Sequence, residues 1–362
     1  MNKPFLSLIT VFLLLTLEAC SPSQKLSNDE AKLNNVVRSY PLAEFGKYYV
    51  GKTTLSSVDS SRDNRQVNIT IWYPVIKPAD PTDRTPISDA PPDDSDAPYP
   101  LLLSSTKVAN IFAPYLISRG FTWVSVNNID SYLWMNEQMF HQPLDILYAL
   151  NWVANSPPDE LTGLIDTNNA GTLGYSFDGY NSLVLGGARI DETYYLSQCP
   201  EKDEIVKTLD NRMSAFSCIP AKDWDGYLAK APTVITDNDD GLWQPITDNR
   251  IKAVIPMAGE GWWLLGERGL SAVNRPVLII AGSKDELYKE NTLIFEKIGS
   301  LDKTMISFLG QDHMMVFDQE MVARIAHFAA AFFGYHLQHR PQMADYYSKD
   351  FVDRHEDLDW IE

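Results

Sequence analysis

The sequence predicts one doubly wound, largely parallel α/β sheet with helices on both faces, and three observations carry that prediction. Short, near-continuous apolar runs recur along the chain at Leu101–Leu103, Thr122–Val126, Ala170–Leu173, Ala253–Met257, Val277–Ala281 and Met305–Leu309. Runs of that length and purity are what strands buried on both faces look like. Segments of helical spacing lie between them, the alternation that builds βαβ units. The chain has 362 residues with 44% hydrophobic content, enough to bury a full core within one large domain.

Residues 1–19 carry Lys3 and then an apolar stretch from Phe5 to Leu17, too short and asymmetric for a membrane span, which reads as an export signal. Leu17-Glu18-Ala19-Cys20 resembles a bacterial lipoprotein cleavage box, with Cys20 as the acylated first residue; a plain cleaved signal is the alternative. The expectation is an exported protein anchored to a membrane through a lipid on Cys20, facing the periplasm or cell surface. Residues 20–40 are polar and suit a tether. The domain is then expected over 41–340, with a lid-like insertion at about 189–250 and a charged, peripheral tail at 341–362.

Within the domain, Tyr48–Ile76 alternates as antiparallel edge strands do, with Val67, Ile69 and Ile71 on one face. Residues 77–99 are rich in Pro, Asp, Ser and Thr and read as a solvated loop. Leu101–Leu103, a helix from Ile111 to Arg119 and Thr122–Val126 make a β-α-β unit. Pro143 is placed in the first turn of a helix that carries Leu144, Leu147, Leu150 and Val153 and ends at Pro157-Pro158. A helix over 288–299 follows Val277–Ala281. The last strong helix carries Met321, Ile325, Phe328 and Phe332, an apolar face broad enough to cover a sheet.

The net charge of −18, unchanged by loss of residues 1–19 because one Lys and one Glu leave together, argues against a nucleic-acid partner. Once Cys20 is assigned to lipid, Cys199 and Cys218 remain as an even pair. A disulfide and two free thiols are both open; a bridge closing that loop would contribute about 3 kcal/mol. The run Asp237-Asn238-Asp239-Asp240-Gly241 lacks the spacing of a calcium loop and reads as a solvated turn. His141, His327, His336, His339 and His355 have no matching cluster of ligands and no phosphate loop is present, so neither metal nor cofactor is expected.

Chemistry concentrates at Gly174-Tyr175-Ser176-Phe177-Asp178-Gly179, where a serine follows an apolar strand and opens a helix. That context projects a hydroxyl from a tight turn. A serine hydroxyl needs a base to take its proton, and the base needs a carboxylate to orient it. Two strand-end loops downstream supply these groups: Gly282-Ser283-Lys284-Asp285 and Gly310-Gln311-Asp312-His313. The stretch between them holds one helix and one strand, which returns Asp285 and His313 to the sheet edge of Ser176. Glu286 and Asp312 are neighbouring carboxylates that compete with Asp285 for the role. Trp262 and Trp263, in Gly259-Glu260-Gly261-Trp262-Trp263, and Trp134 follow core strands; they either line an apolar substrate pocket or pack beneath the insertion.

The order Ser, Asp, His is that of α/β-hydrolases, and the chain resembles that superfamily. It is most similar to the bacterial group described as predicted dienelactone hydrolases, related to platelet-activating factor acetylhydrolases. The likeness runs from about Tyr48 to Phe333. It is carried by Ile71-Trp72-Tyr73-Pro74, Gln142-Pro143-Leu144-Asp145, the serine turn, Arg250-Ile251-Lys252-Ala253-Val254 and Arg275-Pro276-Val277-Leu278-Ile279-Ile280-Ala281-Gly282. It implies the α/β-hydrolase fold and hydrolysis of a small-molecule carboxylic ester by Ser176, His313 and Asp285. It also implies an oxyanion hole built from the backbone N–H groups of Phe177 and Thr106. Two departures stand out: Asp178 occupies the second glycine of the usual G-x-S-x-G turn, and Ser104-Ser105-Thr106-Lys107 replaces the His-Gly that follows the first core strand. The competing reading is a hydrolase-fold binding protein with weakened catalysis.

Overall fold

The computed structural model describes residues 39–78, 82–127, 136–199, 218–236 and 239–362. Cys20, Trp134 and the residues expected to form the export signal lie outside them. Strands β1 (Tyr49–Asp59) and β2 (Arg65–Val75) form an antiparallel hairpin in register from Tyr49 with Val75 to Asp59 with Arg65. The two-residue β3 (Ile87–Ser88) flanks β1. Next come β4 (Tyr99–Ser105), helix α1 (Thr106–Ile117), β5 (Thr122–Val126), α2 (Gln138–Asn155), β6 (Ile165–Tyr175), α3 (Phe177–Leu185) and α4 (Glu192–Gln198). The chain closes with β7 (Ile251–Met257), α5 (Trp262–Leu270), β8 (Val277–Gly282), α6 (Tyr288–Lys297), β9 (Lys303–Phe308), α7 (Gln319–His336) and β10 (Leu358–Ile361).

The ten strands among the described residues join one sheet in the order β10-β9-β8-β7-β6-β4-β5-β2-β1-β3. The six strands from β9 to β5 run parallel; β2 is antiparallel to β5, and β10 to β9. Alternate side chains of a strand point to opposite faces, and the core divides accordingly. Leu101, Leu103, Val254, Ile279 and Ala281 pack toward α2, α3, α5 and α6. Leu102, Ala253, Ile255, Leu278 and Ile280 pack toward α1 and α7. The expected α/β architecture is therefore present, with β4 to β9 buried on both faces.

Three expectations need amendment. Helix α2 begins at Gln138, so Pro143 lies inside it rather than in its first turn. Proline has no N–H to offer the carbonyl four residues back; that carbonyl, of Met139, instead accepts the Tyr180 hydroxyl at 2.8 Å. The N-terminal boundary moves too, since Tyr40 is buried and its hydroxyl accepts from Arg324 Nη2 at 2.7 Å. The charged segment after Arg340 is not peripheral: β10 extends the sheet, pairing Leu358 with Phe308 and Ile361 with Met305, and Phe351 and Val352 are buried. Its charges face water while Phe351, Val352 and Leu358 are buried in the core and Met343, Tyr346, Tyr347 and Trp360 pack against it.

Buried His327 fastens both ends of the domain to α7. Its Nδ1 accepts the Leu42 N–H at 3.0 Å, leaving Nε2–H to donate to the Tyr346 carbonyl at 3.1 Å. Burial pushes this imidazole down to about 3, so it stays neutral and keeps that tautomer.

The described part of the insertion is held by an aromatic cluster in which Trp224 lies against Tyr195, Tyr227 and fully buried Trp243, and Phe140 of α2 against Tyr227 and Trp243. Cys199 and Cys218 are joined by a disulfide across it, the first of the two open alternatives. Among the described residues no helix is long and apolar enough to cross a membrane.

If residues 341–362 belong to the core, Phe351→Ala should destabilise the protein by about 3–5 kcal/mol, the usual cost of emptying a buried aromatic site. Chemical denaturation measures it, and a loss below about 0.5 kcal/mol, as for a surface change, would contradict this packing.

Candidate active site

Strand β6 delivers Ser176 at its end, and α3 starts at the next residue. Ser176 sits at φ 60°, ψ −120°, a left-handed backbone that a side-chain-bearing residue adopts only under constraint. Its N–H donates to the Met257 carbonyl on β7 at 2.9 Å, and its carbonyl accepts from Gly179 N–H at 2.8 Å. Two glycines permit a turn this tight. A β-carbon on Gly174 would stand 1.8 Å from the Asp178 carbonyl oxygen, and one on Gly179 would stand 2.6 Å from Gly259 Cα. The close approach of helix to neighbouring strand thus falls on Gly179, which frees the preceding position for Asp178.

Beyond β8, Asp285 is fully enclosed: its Oδ1 accepts the Leu287 N–H at 2.8 Å and its Oδ2 lies 2.9 Å from His313 Nδ1. The neighbouring carboxylates are placed elsewhere. Asp312 caps the short helix His313–Phe317 by accepting the Met314 N–H at 2.8 Å, and Glu286 is exposed. Beyond β9, His313 turns Nε2 to within 3.2 Å of Ser176 Oγ. With Nδ1–H donating to the carboxylate, Nε2 is left to accept the serine hydroxyl proton.

The Tyr175 ring lies against the imidazole, centroids 5.0 Å apart, and its hydroxyl donates to the His313 carbonyl. Burial of the ring opposes a charge on His313, but the Asp285 hydrogen bond and carboxylate outweigh it, and the imidazole holds its proton more tightly than usual. Side chains from the ends of three parallel strands therefore form one hydrogen-bonded chain, able to take a proton from Ser176.

Thr106 and Phe177 are the first residues of α1 and α3. These helices follow β4 and β6, which are hydrogen-bonded neighbours, so both helix starts, with their positive dipole ends, lie at one sheet edge. The two sequence departures meet there. Asp178 is buried, and its carboxylate accepts the Ser105 N–H at 3.1 Å, the Ser105 hydroxyl, and the Asn181 Nδ2–H at 3.0 Å. Burial pushes its carboxyl above the usual range, while these hydrogen bonds act in the opposite sense. Asn181 Nδ2 also donates to Gln142 Oε1 at 2.6 Å, and Gln142 Nε2 to the Asn127 carbonyl at 2.9 Å. Gln142 in turn lines a polar cavity of about 880 Å³ with Arg62, Arg65, His141 and Lys230.

Trp262 and Trp263 are only 2% and 3% exposed and belong to the packed core. Trp262 lies edge-on to Tyr194 of α4, the arrangement expected of a residue packed beneath the insertion. Sequence reasoning passed over Glu260 and Glu290. Burial pushes both carboxyls up to about 7, with the charges of Glu260 and Asp285 adding to the effect on Glu290; proximity to His313 acts to lower Glu260. Glu290 accepts the Gly261 and Trp262 N–H groups at 2.8 and 2.9 Å, capping α5 from outside the helix. The available signal was the position of Glu260 in a strand-end loop between two glycines.

A scan against protein-family models finds no match to this chain, and a search of curated proteins finds none.

Burial pushes the Glu260 carboxyl from 4.5 up to about 7, so the folded protein favours its proton and stability falls as pH rises between those values. Glu260→Gln should raise stability at pH 8 by about 1–3 kcal/mol and leave it nearly unchanged near pH 4. Denaturant midpoints at both pH values check this; an equal effect at both would contradict it.

Proposed function

We propose that this protein is a serine hydrolase of the α/β-hydrolase type that cleaves carboxylic esters through an acyl-enzyme. The observation that carries the proposal is the Ser176–His313–Asp285 hydrogen-bonded chain at the ends of β6, β9 and β8, with Ser176 in a left-handed turn. Strained backbone at a nucleophile between strand and helix, followed in sequence by acid and then base, is the arrangement of that class.

As the Ser176 hydroxyl attacks the ester carbonyl, its proton passes to His313 Nε2 and the Oγ–carbon bond forms. Asp285 keeps Nδ1 protonated and stabilises the imidazolium. Backbone N–H groups at the starts of α1 and α3 take up the charge developing on the carbonyl oxygen. His313 returns the proton to the leaving oxygen as the carbon–oxygen bond breaks and alcohol departs. It then deprotonates water, whose attack releases the acid and restores the serine hydroxyl. The competing reading, a binding protein with weakened catalysis, rested on two departures from the family pattern. Those departures hydrogen-bond to each other, so the serine turn and the β4–α1 junction stay joined where the replacements fall, which supports the catalytic reading.

Ser176→Ala should abolish hydrolysis of a short-chain nitrophenyl ester, and a fluorophosphonate should label the parent alone. Activity needs neutral His313, so kcat/KM should fall as pH drops through an acid limb above the usual imidazole value of about 6.5. Removing the carboxylate in Asp285→Asn should lower turnover by up to about 10⁴-fold. Ser176→Ala protein with parental turnover would exclude the mechanism.

A further inference from the structure

We propose that Asp178 is a positioning residue: its carboxylate fixes the β4–α1 junction, and with it the Thr106 N–H, at the distance from Ser176 that the oxyanion requires. The inference rests on reading Ser176 as an esterase nucleophile and names the part that substitutes for the missing His-Gly.

The argument begins with hydrogen-bond accounting. Ser105 is the residue before α1, and its N–H is committed to Asp178 Oδ1. The next amide along the chain is that of Thr106, whose side chain is tied down because its hydroxyl donates to the Val126 carbonyl at 2.8 Å. The β4–α1 junction is therefore gripped on both sides, by Asp178 from β6–α3 and by Val126 from β5.

Asp178 itself has little freedom. It is the second residue of the helix that Ser176 starts, it is 3% exposed, and both oxygens are engaged by donors. Asn181, Gln142 and the Asn127 carbonyl continue the chain, so one buried network links the ends of β6, β4 and β5. A buried carboxylate is costly to keep, the charge of Lys107 offsets only part of that cost here, and one whose partners are the nucleophile helix and the opposing loop transmits the position of one to the other. In this chain a side chain from the nucleophile turn reaches across and holds the loop, whereas the familiar pattern leaves that position to glycine.

Kinetics and melting temperatures of the full chain test this with a short-chain nitrophenyl ester and a fluorophosphonate probe. Asp178→Ala should lower kcat by about a hundredfold with little change in KM, slow labelling of Ser176 in parallel, and leave the His313 acid limb where it was. Asp178→Asn should recover most of the loss, because its carboxamide oxygen can still accept the Ser105 N–H while its NH₂ donates to the Ser105 hydroxyl oxygen.

Parental kcat and labelling in a folded Asp178→Ala protein would overturn the inference while leaving the esterase reading intact. So would an Asn variant no better than Ala, or a displaced acid limb. Should Asp178→Ala fail to fold, Ser105→Ala removes only the hydroxyl bond; about a tenfold fall in kcat supports the inference and parental kcat overturns it. A parent protein that takes no label would sink the esterase reading and this inference with it.

Discussion

Ser176 is held at φ 60°, a conformation costing about 1–3 kcal/mol that persists only where its surroundings over-determine it. The surroundings do so from every side. The hydrogen bond to Met257 fixes the turn to β7, and the Gly179–Gly259 approach presses α3 onto the loop after that strand. Gly259 is in turn pinned by buried Asn291, which donates to its carbonyl and accepts its N–H, both at 3.1 Å. Asp178 completes the ring of restraints by reaching the end of β4. The two-faced hydrophobic core fixes the strands, and with them every loop that meets at Ser176.

The same sheet edge concentrates carboxyl groups in a chain that is already strongly acidic. Asp285, Asp178, Glu260 and Glu290 occur within a few strand ends of one another, and each has different partners. Asp285 lies against His313 and raises its hold on a proton. Asp178 is met by three donors. Burial pushes Asp178, Glu260 and Glu290 all toward neutrality, opposed by three donors at Asp178, by the charge of His313 at Glu260 and by two backbone N–H groups at Glu290. Divergent environments for neighbouring carboxyls commonly mark places where protons are moved, and this edge is also where Ser176, His313 and Asp285 are hydrogen-bonded to one another.

Much of this was legible in the sequence. Buried parallel strands announce themselves as apolar runs, so β4, β5, β7, β8 and β9 emerge close to their observed ends, while β6 begins at Ile165, ahead of its apolar run, because its first residues are only partly buried. Ser176, Asp285 and His313 each follow such a run directly, and strand-end placement brings them together without knowledge of any contact. Less legible were features decided by long-range partners. Pro143 signals a helix start by its own chemistry, and the carbonyl it leaves without an N–H finds its partner, the Tyr180 hydroxyl, on another helix. The segment after Arg340 hides three buried core side chains, Phe351, Val352 and Leu358, among its charges. Asp178 and Ser105 are individually anomalous; their complementarity exists only across the gap between two strands. The tryptophans at 262 and 263 suggested a pocket, but apolar side chains after a strand serve packing equally well, and here they are buried.

The central claim is that Ser176 becomes covalently acylated, and rapid acid quenching during turnover of a short-chain nitrophenyl ester tests it most directly, with mass spectrometry of the peptides. An acyl group on the peptide containing Ser176, appearing with a burst of nitrophenol and absent from Ser176→Ala, is the result this account predicts. Turnover with an unmodified Ser176, or acylation of another residue at the same rate as turnover, would contradict it.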